Sequence, residues 1–316
     1  RTFKRNRRFK NGERLLKKIT SLSSKKNKPT KKEKALAVYE LRQKYKITAL
    51  LRKAELSKST YYDIISKLSK LDKYEEVKEV IKQIYHSNKG RYGYRRVTYE
   101  LLNRGYKLNR KTVYKLMKEL GLQSFVRVRR YRSYKGNYGK VAPNILKREF
   151  RADKPNSKWV TDVTQFNVLD TKIYLSPIVD LFNGEVISYN ISESPNFHQI
   201  EDMLDKAFIR ISDNTNLILH SDQGWQYQME KYQNRLAEKG IIQSMSRKGN
   251  CLDNACAENF FGLLKTEFFY DKIFESVTQF KRELIDYINY YNNERIKLRL
   301  KGKSPIQYRM DFEQVA

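Results

Sequence analysis

The stretches HSDQGWQY (220–227) and SMSRKGNCLDNACAENFFGLLKTE (244–267) decide how this chain is read. Asp222 closes a short apolar segment, Leu217-Ile218-Leu219, that has the look of a strand. Glu258 follows after thirty-five intervening residues, near the start of a helical pattern. A third carboxylate, Asp162, sits upstream inside another β-branched run, WVTDVTQF (159–166). Acids on two neighbouring strands and on a following helix are the ingredients of a site for a pair of Mg²⁺ ions. Such ions are hard, prefer oxygen, and clamp the attacking and leaving oxygens of a phosphodiester displacement. On a helix, Glu258, Gly262 and Lys265 fall at i, i+4 and i+7. Ala257, Phe261, Leu264 and Phe268 form the apolar stripe beside them that anchors the helix. Lys265 then emerges next to Glu258, placed to meet a DNA phosphate, and Gly262 lets a backbone come close.

Each acid taken alone has an ordinary alternative, since charged residues mostly stay solvated. Asp222-Gln-Gly reads equally as a turn, and Asp253-Asn254 as a helix cap. The joint pattern is what separates the readings. WVTDVTQF, YLSPIVDLF (174–182), the two opening stretches and YINYYNNERIKLRLKGKSPIQY (287–308) closely resemble bacterial insertion-sequence transposases of family three, in the retroviral integrase superfamily. The resemblance covers about residues 92 to 308. It implies that Asp162, Asp222 and Glu258 are the catalytic, metal-binding acidic triad and that Lys265 is the basic residue seven positions after the glutamate. It also implies two Mg²⁺ ions, with Mn²⁺ as a substitute. The family pattern has Pro-His after Arg295, where this chain has Ile296-Lys297.

Composition sets the bounds. The chain has 316 residues, enough for several domains, and carries a net charge of +30, with a pI near 9.9. That excess is the footprint of a nucleic-acid partner. No run approaches the length of a membrane span and no signal peptide opens the chain, which sets a membrane role aside. Cys251 and Cys256 give neither a disulfide framework nor zinc spacing. They read as small packing residues in a cytoplasmic, nucleoid-associated protein. His220, beside Asp222, either lines the site or serves as a structural histidine at a strand end.

In chain order, residues 1–30 form a basic segment. The chain opens on Arg1, as a trimmed or partial polypeptide does, and Leu15, Ile19 and Leu22 are consistent with the end of a coiled coil. Residues 31–70 read as a helix-turn-helix domain in which Ser57 caps a helix presenting Lys58, Thr60 and Tyr62 to DNA. Residues 71–121 repeat the arrangement. There Asn109 caps a helix whose outward Arg110, Lys111, Tyr114 and Lys115 suit phosphate or base-edge contacts. Residues 122–158 interleave cations with tyrosines, and Arg129 and Arg130 fit an arm lying along DNA.

Residues 159–292 alternate strand and helix in the order of an α/β RNase H-like (integrase) catalytic core. Strands are expected at 159–168, 172–180, 185–191, 217–221 and 241–245, and helices at 197–211, 227–239, 254–270 and 277–292. The loop holding Arg247, Lys248 and Asn250 is expected to grip DNA near the metals. Residues 293–316 are a basic C-terminal extension that, by resemblance, completes the core.

The function this implies is Mg²⁺-dependent strand cleavage and strand transfer on double-stranded DNA, at element terminal repeats and in target DNA, by a homo-oligomer of at least two copies. The alternatives are a DNA-binding regulator with an inactive core, and an RNase H-type nuclease that joins nothing.

Overall fold

Residues 29–69, 72–124, 141–248, 250–270 and 272–315 are described by this computed structural model, and the chain divides into two units, 1–77 and 78–316. In the first, Thr30 and Glu33 form a reciprocal capping box that starts helix α1 (Lys31–Leu41). Helix α2 (Ile47–Ala54) ends at Glu55, which takes a left-handed φ of 53°. Ser57 then accepts the Thr60 amide at 3.1 Å and opens α3 (Lys58–Ser69). Ala35, Val38, Leu50, Leu51, Ala54, Leu56 and Tyr61 form the core of this unit. Lys58 and Tyr62 remain exposed, whereas the Thr60 hydroxyl is held by Ser57. The expected readings on Leu15, Ile19, Leu22, Arg129 and Arg130 lie outside the described residues.

Helix α4 (Glu75–Ser87) starts just before residue 78, and α5 (Tyr94–Asn103) and α6 (Arg110–Glu119) follow in the second unit. Asn109 caps α6 by accepting the Lys111 amide at 2.8 Å. Val113, Leu116 and Met117 face inward, leaving Arg110, Lys111, Tyr114 and Lys115 exposed.

Six strands follow: β1 (Lys158–Thr161), β2 (Thr164–Val168), β3 (Thr171–Asp180), β4 (Val186–Ser192), β5 (Ile218–Ser221) and β6 (Ile242–Met245). β1 and β2 lie along one edge of β3 and β4 along the other, all antiparallel. β5 joins β1 and β6 joins β5, both parallel. The helices are α7 (His198–Phe208), α8 (Glu230–Glu238), α9 (Ala255–Leu264), α10 (Val277–Asn293) and α11 (Pro305–Val315). This is the mixed sheet of an RNase H-like core.

The strand expected at 159–168 is two strands. Thr161 pairs with Ile178 and Thr164 with Leu175, so the break at Asp162-Val163 faces Ser176-Pro177. Proline has no N–H for the ladder, and Asp162 Oδ1 takes the Val163 amide at 2.7 Å. The other differences are local. The helix expected from residue 227 starts as a 3₁₀ turn (Trp225–Gln228) before α8, and the helix expected to run to 270 becomes a π turn at Lys265–Phe269.

Because helices cover both faces, the strands alternate between two cores rather than between core and water. Trp159 and Ile178 point to α7 and α8, packing with Met203, Leu204 and Leu236. Val160, Phe166 and Val179 point to α9 and α10, packing with Phe261, Leu264, Phe280 and Leu284. The predicted anchors Ala257, Phe261, Leu264 and Phe268 are all buried, as is Phe260.

The C-terminal segment is tied to the β3–β4 turn. Arg309 donates to Asp180 at 2.7 Å, and α11 sets Phe312 edge-on against Phe182. Lys297 is half-buried and donates to the Gly184 carbonyl (2.9 Å) and the Tyr291 hydroxyl (2.7 Å). Gly184 holds φ at +74°, and a Cβ there would collide with the Lys297 ammonium. Ile296 fills the core.

Glu267 joins three elements. Arg295 clamps it with two bonds (2.7 and 2.8 Å), Arg96 of α5 reaches it at 3.3 Å, and Tyr287 of α10 donates at 3.0 Å. Tyr92 adds a second tie by accepting the Ile296 amide. Burial pushes the Glu267 carboxyl up, but the Arg295 fork, Arg96 and Tyr287 outweigh it and hold it below the usual range. A carboxylate depressed in the folded state contributes stability that is complete above its unfolded pKa, about 4.3, and lost as pH falls through the folded value. Glu267→Gln is therefore expected to lose about 3–5 kcal/mol in urea unfolding at pH 7 and to flatten the acid limb of the stability curve. Identical urea midpoints for the two proteins at pH 7 would show that the cluster holds nothing together.

Candidate active site

Parallel pairing of β1 with β5 fixes the geometry. Val160 lies opposite His220, so Asp162 and Asp222, each two residues further on, leave adjacent strand ends on the same face. Each is locked by backbone. Asp162 Oδ1 accepts from Val163, and Asp222 Oδ1 accepts from the Gly224 amide at 2.8 Å. Both side chains are half-buried. Burial first, then the charge of Asp222, pushes the Asp162 carboxyl well above the usual range. Glu258 adds to the rise and Lys265 opposes it. Burial likewise raises Asp222. Tyr227, fully buried, senses both aspartates and stays protonated, with burial as the main cause.

Helix α9 brings Glu258 in its first turn and Lys265 just past its end. The Lys265 ammonium lies 5.3 Å from the centre of the Phe166 ring. The π turn begins at Lys265, a local widening of a kind common at functional sites.

Asp253 and Asn254 do different work from a helix cap. Asn254 occupies the N-cap position without a side-chain capping bond, and its amide donates instead to Asp162 Oδ2 at 3.1 Å. Asp253 is buried and anchors the 246–250 loop. It accepts from Arg247 through the backbone (3.0 Å) and the guanidinium (2.9 and 3.1 Å), from Arg148 (2.7 Å) and from Asn144 (3.0 Å). Those bonds, Arg247's first, hold its carboxyl far below the usual range. Arg247 is thus committed to Asp253, and Asn250 accepts from Arg148 at 3.0 Å. Lys248 is exposed.

His220 is structural. It is buried, its ring nitrogens meet Ser244 at 2.9 Å and Ser246 at 3.1 Å, and burial brings its pKa down to about 4, leaving it neutral. Cys256 packs half-buried against the α9 core, and burial raises its thiol. Sequence reasoning missed Arg148 and the Asn254–Asp162 bond. The adjacent Asp253-Asn254 pair was the available signal.

Among the described residues, no three His, Cys, Asp or Glu side chains stand close enough to hold a metal ion. Asp162 and Asp222 leave neighbouring strand ends, and the charges of both Asp222 and Glu258 reach Asp162, that of Asp222 more strongly. The donor chemistry nonetheless fits a hard divalent cation. All three are oxygen ligands, and the charges of Asp222 and Glu258 both disfavour ionised Asp162, a repulsion a cation converts to attraction. Asn254 Oδ1, buried beside Asp162, has no hydrogen-bond partner among the described residues, leaving an unsatisfied oxygen acceptor next to the carboxylates.

Similarity to known proteins gives the family. Integrase core domain models match residues 152–251 and 258–311, and an HTH-like domain model matches residues 73–130. The chain is 55% identical over 270 residues to a putative transposase, InsK, for insertion sequence element IS150 of Escherichia coli, covering 85% of this chain and 95% of that one. It is 53% identical over 203 residues to an uncharacterized transposase-like protein of Haemophilus influenzae, covering 64% and 94%. The HTLV-2 integrase catalytic core domain in complex with magnesium aligns at a TM-score of 0.41 with 18% identity, over 50% of this chain and 99% of that one. That likeness is too distant to decide anything, and the assignment rests on the two relatives. With an integrase core, an HTH-like domain and transposase homologues at this identity, the chain belongs to the IS3 family of insertion-sequence transposases.

Proposed function

We propose that this transposase cuts and joins DNA at the ends of its element using Asp162, Asp222 and Glu258 as ligands for two Mg²⁺ ions. The observation that carries the reading is the pair of aspartates set side by side by the β1–β5 register. When bound, such ions lower the pKa of the attacking oxygen and stabilise the charge that develops on the leaving one. The chain's own residues supply position. Val163 and Gly224 fix one oxygen of each aspartate, and Asn254 orients the free side of Asp162. Lys265, close enough to temper Asp162, meets the phosphate beside the reacting one. The protein needs no general base of its own, and neutral, serine-bound His220 is not one.

The exposed faces of α3 (Lys58, Tyr62, with Thr60 between them) and α6 (Arg110, Lys111, Tyr114, Lys115) hold the element ends, and exposed Lys248, in the loop between β6 and α9, meets DNA nearer the acidic residues. Holding two ends together calls for at least a dimer. Among the described residues no helix is long and apolar enough to cross a membrane, and the reading places the enzyme on cytoplasmic DNA.

Two outcomes check the reading on end-containing duplex DNA. Asp162→Asn is expected to lower cleavage and joining by at least about 10²-fold while gel-shift binding stays near wild type. Loss of binding together with the fold would make Asp162 structural. Chelation should stop both reactions and Mg²⁺ or Mn²⁺ restore them. Cutting that persists in chelator removes the metals from the account, and nicks without joined products point to a nuclease.

A further inference from the structure

A cleft of about 500 Å³ opens within the second unit, between the start of α5 and the outer face of α9. Arg91, Arg95 and Arg96 line one wall and Asn259, Gly262 and Thr266 the other. The charge is unbalanced. The acid at its base, Glu267, is already clamped by Arg295 and Tyr287, so it cannot neutralise three more guanidinium groups. Two of the three arginines, Arg91 and Arg96, are also held in place. Arg91 lies over the Tyr287 and Tyr290 rings at 5.1 and 4.7 Å and donates to the Glu267 carbonyl, and Arg96 reaches the Glu267 carboxylate. Arg95 is exposed and bonded only locally, to the Tyr94 hydroxyl, among the described contacts. Forks fixed before a ligand arrives suit phosphate oxygens, because little side-chain freedom is lost on binding.

Gly262 supplies the second argument. Glycine inside a helix costs about 1 kcal/mol relative to alanine. Here a Cβ would meet nothing within 4 Å, so packing inside the protein does not require its absence. Something approaching from outside is the remaining use for the bare backbone. Gly262 shares the helical stripe of Glu258 and Lys265, and it also lies on the lip of the cleft. A chain passing from the carboxylates across Gly262 enters the arginine wall directly.

We propose that this cleft is a binding site for the sugar–phosphate backbone of one DNA strand as it leaves the acidic residues, with Arg95 as its open phosphate contact and Gly262 as the point of closest approach. The proposal rests on the reading that the acidic residues process DNA. A volume of about 500 Å³ suits a few nucleotides of one backbone rather than a whole duplex, and the flanking duplex is left to the helix-turn-helix faces.

The test uses the full chain and a fluorescent end-containing duplex, with Arg95→Glu, Gly262→Trp and, as control, Lys206→Glu on α7, across the sheet from α9. Arg95→Glu and Gly262→Trp are each expected to weaken equilibrium binding about tenfold or more, with thermal midpoints close to wild type. Arg95→Glu should also reduce the slope of log affinity against log salt by about one. Lys206→Glu should stay within about twofold. Wild-type affinity and salt slope in both cleft variants, with a parent that binds and cuts, overturns the cleft and leaves the transposase reading standing. A Lys206→Glu loss as large as that of Arg95→Glu also overturns it, because bulk charge then explains the effect. A parent that neither binds nor cuts end DNA overturns both.

Discussion

Placing Asp162 beside Asp222 sets two like charges against each other at half-buried strand ends, which opposes folding. The register of β1 on β5 leaves no alternative, because a one-residue slip would turn every side chain of β1 to the wrong core. Trp159 and Val160, fully buried on opposite faces, therefore hold the aspartates together despite their repulsion. The surroundings are arranged to tolerate that repulsion. Backbone amides take one oxygen of each, Asn254 takes another, and Lys265 adds positive charge.

The rest of the second unit keeps that pair in register with what must approach it. Asp253 ties Arg247 to Arg148, joining the residues after β6 to the segment before β1. Glu267 joins α5, the end of α9 and the segment after α10, so the HTH-like helices are anchored to the helix carrying Glu258. Both devices use a buried carboxylate gripped by two arginines. Removing one partner from such a group strands charge, which makes these junctions costly to break.

Much of this was legible in the residues. The aspartates at the ends of apolar runs, the α9 stripe and the Ser57 and Asn109 caps are local patterns, and local patterns survive into the fold. What escaped depends on partners distant in sequence. The break at Asp162 is explained by Pro177 on another strand, and the commitment of Arg247 by a carboxylate shared with Arg148. Lys297 gave no sign that its ammonium would be tied to the 183–184 turn, since an isolated lysine ordinarily reads as surface. Glu258 was placed correctly on its helix, yet periodicity says nothing about how far its carboxylate stands from the aspartates.

The most direct measurement is anomalous diffraction from crystals of the full chain soaked in Mn²⁺. The account predicts a peak within coordination distance of both Asp162 and Asp222. A peak that forms elsewhere on the chain, with none between these two carboxylates, would contradict it.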